Sequence, residues 1–213
     1  MKYPNLREEK KLWRKGYKKV TGLDESGRGP LAGPVVAAAT IIHYPRYDLR
    51  QLSKLGLLGV KDSKKLTPKK RKEIYKILTN HPQIEWGIGK VSEKVIDKIN
   101  ILEATKLAMK RAVNNMKLKP DFLILDGKMK LNIEIPQKSI VKADEKVFSC
   151  SAASIVAKVW RDKIMEKYHK KFPQYGFDKH KGYPTKFHKK MLKKYRPCKI
   201  HRKSFRPVKY YDR

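Results

Sequence analysis

At 213 residues and 24.9 kDa the chain suits one domain, with at most a small appendage, and can bury a proper core. Its 53 Lys+Arg against 20 Asp+Glu leave a formal charge of +33, a self-repulsion relieved by a polyanion, so nucleic acid is the expected partner class. Cys150 and Cys198 exclude a disulfide framework or a zinc quartet, the polar basic start excludes a secretory signal, and no apolar run reaches membrane-spanning length: a soluble cytoplasmic protein with no membrane partner is expected.

Residues 1–17 are charged and weakly periodic and read as a basic arm or short helix carrying Leu12, Trp13 and Tyr17. An apolar run, 20–23, then ends on Asp24 and Glu25, and Gly27-Arg28-Gly29 follows before a second apolar run at 34–42. The pattern predicts strand, tight turn, strand, with glycines that let the turn present bare N–H groups to a ligand. The absence of Gly-Lys-Ser/Thr excludes a P-loop. Gly27, Gly29 and Gly33 faintly resemble a dinucleotide fingerprint, but Pro30 and Pro34 interrupt where that motif needs a helix. The plain alternative is a hairpin whose acids merely face solvent.

Residues 61–66 read as a polar basic loop, and Thr67 as N-cap with Pro68 at N1 predicts a helix to about Leu78. Residues 84–91 read as a strand. Ser92 is placed to cap a short helix, and Asn100 with Glu103 forms a capping box for a helix over 101–116. Pro120 marks the next boundary, before a strand at 122–125 that ends on Asp126 and Gly127. A short strand at 139–141 runs into Lys142-Ala143-Asp144. The pattern from 146 to 169 is helical, and small and apolar nearly all round in its first half, as in a helix packed inside a domain. The remainder is rich in Lys, Arg, Tyr, Phe and His, with a helix predicted near 185–194. Strands and helices mix throughout, so the class is α/β. The expected division is a basic arm (1–17), a catalytic domain (18–170) and a basic C-terminal segment packed on it (171–213).

Ligands for catalytic Mg²⁺ or Mn²⁺ are carboxylates at strand ends and helix starts, and Asp24, Glu25, Asp126 and Asp144 fit. Adjacent strand residues face opposite sides, so Asp24 and Glu25 share one site only if the chain bends there. Asp121 opens the strand that Asp126 closes, about 15 Å away, and is excluded. Asp162 lies about 24 Å along the helix from its start, whereas two catalytic ions sit about 4 Å apart, so Asp144 is chosen over it. Asp162 is expected to pair with Arg161, Lys163 or a neighbouring turn, and the alternative for Asp144 is a plain acid on the helix dipole. His169, His180 and His188 lie among lysines at no metal-ligand spacing and read as surface residues. Metal-assisted phosphodiester hydrolysis matches charge and carboxylates together.

Asp24-Glu25-Ser26-Gly27-Arg28-Gly29-Pro30-Leu31-Ala32-Gly33-Pro34-Val35-Val36 closely resembles the signature of type 2 ribonuclease H (ribonuclease HII), of the bacterial type, with Ser26 where that family often has alanine. Further stretches match in order: Asp62-Ser63-Lys64-Lys65-Leu66, Leu125-Asp126-Gly127, Lys142-Ala143-Asp144, the helix from Ser151 to Asp162, His180-Lys181-Gly182-Tyr183-Pro184-Thr185 and His201-Arg202-Lys203-Ser204-Phe205. The resemblance runs from about 20 to 208.

It implies a ribonuclease H-like fold, a mixed sheet flanked by helices with a helical C-terminal segment. It implies an endonuclease acting on the RNA strand of RNA–DNA hybrids and 5′ of single ribonucleotides in duplex DNA, leaving 3′-OH and 5′-phosphate. Asp24, Glu25, Asp126 and Asp144 match the family's metal-binding carboxylates, with two ions expected. Gly27, Arg28 and Gly29 match its loop for the ribose 2′-OH, and Tyr183 the tyrosine that stacks on the following sugar. Arg28, Ser63 and Lys64 are assigned to flanking phosphates, and the basic stretch 179–206 to the duplex backbone. The departures are Ala143, where glycine is common, which predicts a stiffer approach to Asp144, and Pro184, which bears on the aim of Tyr183. A monomer is expected. The rivals are a DNA nuclease or resolvase on the same fold, and a non-catalytic RNA-binding protein.

Overall fold

The apolar runs on either side of the glycine turn form β1 (Val20–Ser26) and β2 (Val35–Ile42), antiparallel in register from Thr21↔Ile41 to Ser26↔Val36. The computed structural model describes residues 4–43 and 66–211. Within them β3 (Ile84–Val91) continues the antiparallel pairing on β2, while β4 (Phe122–Asp126) and β5 (Gln137–Ile140) add in parallel on the other side of β1. The sheet order is β3-β2-β1-β4-β5, so the strand that carries the acid pair is central.

The helices are α1 (Arg7–Arg14), α2 (Pro68–Asn80), α3 (Glu93–Asn114), the single turn α4 (Ala143–Lys146), α5 (Phe148–Lys171), the short α6 (Phe177–His180) and α7 (Lys186–Tyr195). Thr67 caps α2 and Thr185 caps α7, each side chain accepting a main-chain N–H three residues on. Ser92 precedes α3 but makes no capping bond with its side chain. Inside α3 the helix breaks at Asn100 (φ 64°), whose Oδ1 accepts from the N–H groups of Leu102 and Glu103 and so starts the second half as the sequence predicts. The helix predicted over 146–169 is α5, starting two residues later: Lys146 ends the separate turn α4, and Val147 between them is extended (φ −111°).

Each sheet face takes alternate residues and covers them with its own helices. One face packs Val20, Ala38, Ile42 and Ile124 against α1, α2 and α5; the other packs Leu23, Ala37, Ala39, Ile41, Leu123 and Leu125 against α3. Helix α5 comes unusually close to the sheet, because a Cβ on Gly22 would stand 2.4 Å from the main-chain N of Cys150. The first helix is more than a charged surface element. Leu6, Leu12 and Trp13 enter the core, and the buried Glu9 accepts from both the N–H (2.9 Å) and the Oγ (2.8 Å) of Ser149 near the start of α5. Burial raises the Glu9 carboxyl to about 7.

Asp121 accepts from the N–H groups of Lys18 and Lys19 at the far end of the sheet, remote from any chemistry, as its strand position predicts. Of the partners expected for Asp162, Arg161, Lys163 or a neighbouring turn, the structure selects the last: the acid pairs with Lys158 one turn back on α5 (2.8 Å). The i,i+4 spacing brings those two side chains together on one face, and Arg161 is committed elsewhere.

Candidate active site

Parallel pairing of β1 with β4 matches Leu23 to Leu125, which sets Asp24 and Asp126 side by side one residue further on. Both share the parity of Gly22 and Ile124, so both belong to the face covered by α5. The turn α4 brings Asp144 to the same point. One oxygen from each of Asp24, Asp126 and Asp144 lies within 4.8 Å of the others. Asp24 and Asp144 are buried and Asp126 half-buried.

The carboxylates are oriented by main chain. Asp24 Oδ1 accepts from the N–H of Glu25 (2.7 Å), and Ser154 on α5 also hydrogen-bonds Asp24. Asp126 Oδ1 accepts from the N–H of Ala143 (2.6 Å) and so fixes the start of α4 beside β4. Burial, then the charges of Glu25 and Asp126, hold the Asp24 carboxyl well above the usual carboxylate range. A divalent cation relieves this repulsion, and the all-oxygen donor set suits a hard ion such as Mg²⁺ or Mn²⁺. At the approach to Asp144 the left-handed residue is Lys142 (φ 58°, ψ 46°), while Ala143 is already helical, so its methyl adds no backbone strain there.

Glu25 differs from the other three. Pairing of β1 with β2 runs in unbroken register through Glu25 and Ser26, and the oxygens that meet within 4.8 Å belong to the other three acids, although the Glu25 charge still acts on Asp24. Glu25 Oε1 lies 3.4 Å from the Arg28 guanidinium, at the rim of the site. Arg28 and Gly29 are exposed on the loop that follows. A Cβ on Gly29 would stand 3.8 Å from Cε1 of Tyr183, so loop and tyrosine ring are neighbours. Ser63 and Lys64 lie outside the described residues.

Two arginines missed as site residues hold this region together. Fully buried Arg161 on α5 donates to the carbonyls of Pro34 (3.0 Å), Ala32 (3.1 Å) and Lys181 (2.9 Å). Fully buried Arg202 donates to the carbonyls of Gly33 (2.9 Å), Arg28 (2.9 Å) and Gly27 (2.6 Å). Burial drops their pKa values to about 10 and about 9. Gly27 must stay glycine for Arg161 to fit: its φ is +102°, and a Cβ would meet Arg161 Nε at 2.2 Å. Ser154 and Arg161 are two turns apart on one face of α5, which thereby carries both the Asp24 contact and the loop contact. The legible signal is Arg161 at the end of the small, apolar first half of α5.

His188 corrects the surface reading: it is fully buried, and it meets the buried His201. Its Nδ1 lies 2.9 Å from the Tyr183 carbonyl, which can only accept, so Nδ1 carries the proton and Nε2 accepts from His201 Nε2 at 3.1 Å. His201 Nδ1 is then bare and accepts from the N–H of Cys198 (3.0 Å). This chain of neutral rings ends on the main chain of Tyr183. Burial is the main cause holding His188 down at about 4 and His201 down at about 3; their mutual proximity adds to it at His201. Unfolded histidine titrates near 6.5. Both rings therefore favour the fold fully above about pH 6.5 and progressively less as pH falls toward 4, whereas Glu9 has the opposite sign. His201→Gln is expected to lose about 2 kcal/mol less stability than the parent between pH 7 and 5, read as a shallower fall in Tm. Equal slopes in the two proteins would mean the ring is not held neutral.

Among the described residues no helix is long and apolar enough to cross a membrane. Residues 21–208 match the sequence profile of the family described as Ribonuclease HII. The chain is 49% identical over 209 residues to the ribonuclease HII of Chlamydia trachomatis serovar L2, covering 96% of this chain and 92% of that protein. It superposes on the ribonuclease H2 of Pyrococcus horikoshii OT3 with a TM-score of 0.73 at 29% identity, over 91% of this chain and 96% of that one. Superposition on a chain of the PCNA:RNase HII complex from Archaeoglobus fulgidus gives 0.70 at 28% identity, over 88% and 95%.

Proposed function

The chain belongs to the ribonuclease HII family, and from that premise we propose that this nuclease both hydrolyses the RNA strand of RNA–DNA hybrids and cuts 5′ of a single ribonucleotide embedded in duplex DNA. Family membership removes the non-catalytic RNA-binding reading. The observation that carries the finer claim is the convergence of Asp126 and Asp144 within 4.8 Å on Asp24, whose strand leads directly into the Gly27-Arg28-Gly29 loop. Cleavage chemistry and a backbone loop suited to a ribose hydroxyl then share one chain segment. The 2′-OH is both donor and acceptor and marks RNA without any base being read.

Asp24, Asp126 and Asp144 would hold divalent ions, with Glu25 contributing from the rim. When bound, two such ions supply an activated water and neutralise the leaving 3′-oxygen. The chain's own groups do the rest. The N–H of Glu25 and the side chain of Ser154 hold Asp24 in aim, and the N–H of Ala143 does so for Asp126. The main chain of Gly27, Arg28 and Gly29 takes the 2′-OH, Tyr183 stacks on the following sugar, and Arg28, Ser63 and Lys64 take flanking phosphates. The exposed basic side chains of the stretch 179–206, which do not include the buried Arg202, lie along the duplex backbone, so affinity should fall steeply with salt. The products are a 3′-hydroxyl and a 5′-phosphate. We assign the protein to the cytoplasm as a monomer, in keeping with a charge of +33 that keeps copies apart.

The test is cleavage of a DNA duplex holding one ribonucleotide, beside an all-DNA control, with Mg²⁺ or Mn²⁺ and with chelator. A metal-dependent cut 5′ of the ribonucleotide, with the control intact, is expected. Cutting of both duplexes would favour a general DNA nuclease on this fold. Tyr183→Ala should lower cleavage at the single ribonucleotide at least tenfold more than cleavage of a long hybrid, since one lost stacking contact is worth about 1–3 kcal/mol. Equal losses would remove the junction role from Tyr183.

A further inference from the structure

Given the ribose-sensing loop proposed above, we infer that Arg202 is a positioning residue for ribonucleotide selectivity: by gripping the carbonyls of Gly27 and Arg28 it aims the N–H groups of Arg28 and Gly29 at the 2′-OH. In a trans peptide the C=O and the following N–H point in opposite directions. The only cis peptide among the described residues is Arg206–Pro207, so both loop peptides are trans. Arg202 lies beneath the loop, fully buried, at 2.6 Å from the Gly27 carbonyl and 2.9 Å from that of Arg28. The N–H groups of Arg28 and Gly29 are therefore turned away from the interior, on the two exposed residues of the loop and beside the Tyr183 ring. Further along, by contrast, the N–H of Leu31 goes to the Gly182 carbonyl and that of Gly33 to the Ile200 carbonyl. The outward pair is the part of the loop left for a ligand.

The chemistry of the grip also bears on the ligand. A buried cation with only neutral partners is costly, and among the described residues Arg202 forms no salt bridge. Apolar packing would hold the loop at less cost. A guanidinium instead polarises each peptide whose carbonyl it binds, which strengthens the N–H at that peptide's other end as a donor. Only the planar fork reaches three carbonyls in fixed directions; a lysine ammonium carries the charge without the geometry. Arg161 is the complement: its hydrogen-bond partners are Ala32, Pro34 and Lys181, so it ties the loop to the Tyr183 segment and packs against Gly27 without hydrogen-bonding either ligand-facing peptide.

The test uses the full chain in chelator, so that binding is read without cleavage. Affinities are measured for a DNA duplex with one ribonucleotide and for the same duplex with the deoxynucleotide, in the parent, Arg202→Lys and Arg202→Gln. Two hydrogen bonds to the hydroxyl predict a parent preference of about tenfold or more. The variants should bind the deoxy duplex within about twofold of the parent while the preference falls below about threefold. A retained preference in either variant overturns the inference, as does a proportional loss for both duplexes, which is the mark of a purely structural residue. Failure of both variants to melt cooperatively also assigns Arg202 to the fold alone. Absence of any preference in the parent would instead overturn the ribose-sensing reading itself.

Discussion

Replacing Asp24 with asparagine is expected to lower cleavage by roughly three orders of magnitude or more, the scale of several kcal/mol of lost transition-state stabilisation. Duplex affinity should change little, because the binding charge lies on Arg and Lys elsewhere. The same substitution should raise Tm in metal-free buffer at neutral pH. The Asp24 carboxyl is held well above the usual range by burial and by Glu25 and Asp126, so its ionised form opposes folding there. Asparagine removes that charge and still accepts from the Glu25 N–H. Lost activity with gained stability separates a functional carboxylate from a structural one. Retained turnover would sink the assignment of Asp24, and a lowered Tm would show that its charge serves the fold.

Metal removal carries the second large effect. Chelator should abolish cleavage, and restored Mg²⁺ or Mn²⁺ should recover it. A cation at 100 times its Kd stabilises the chain by about 2.7 kcal/mol, or roughly 5–10 °C in Tm for a chain of this size. Asp126→Asn should lose most of that shift. The shift should also shrink as pH falls below neutrality, because protons compete at Asp24, whose folded carboxyl takes them up at higher pH than the unfolded one. A metal-induced shift unchanged in Asp126→Asn would place the ion elsewhere.

Which parts of this arrangement can be read locally follows from how far apart the partners lie in the chain. The acids stand at element ends, and Pro, Gly and cap residues such as Thr67, Asn100 and Thr185 mark those ends plainly. The convergence of Asp24 with Asp126 is another matter. It depends on a parallel pairing across about a hundred positions, whose register no local pattern reveals. The place of Glu25 likewise depends on how far β1 stays paired, and its pairing runs on through Glu25 with Ala37 and Ser26 with Val36. His188 was misread because its neighbours are lysines; its phase on α7 was the better guide, since His188 and Leu192, one turn apart, form the buried side of that helix. Arg161 and Arg202 were read as motif letters and not as site parts, because an arginine that binds only carbonyls has no acidic partner to signal it.

The contact between Glu9 and Ser149 has a consequence for how the protein is made. The first helix emerges from the ribosome early, yet its buried carboxylate finds its partners only when the start of α5 has been synthesised. Strands β1 to β4 are made before then, and until then they lack α5, which packs close on one face of their sheet. At about 5–20 residues per second the interval from residue 42 to residue 148 lasts roughly 5–21 s. Through that time a strongly basic nascent chain holds Asp24, and later Asp126, without Ser154, Arg161 or Arg202. On the reading proposed above, nuclease competence thus waits on chain made well after the acids of β1.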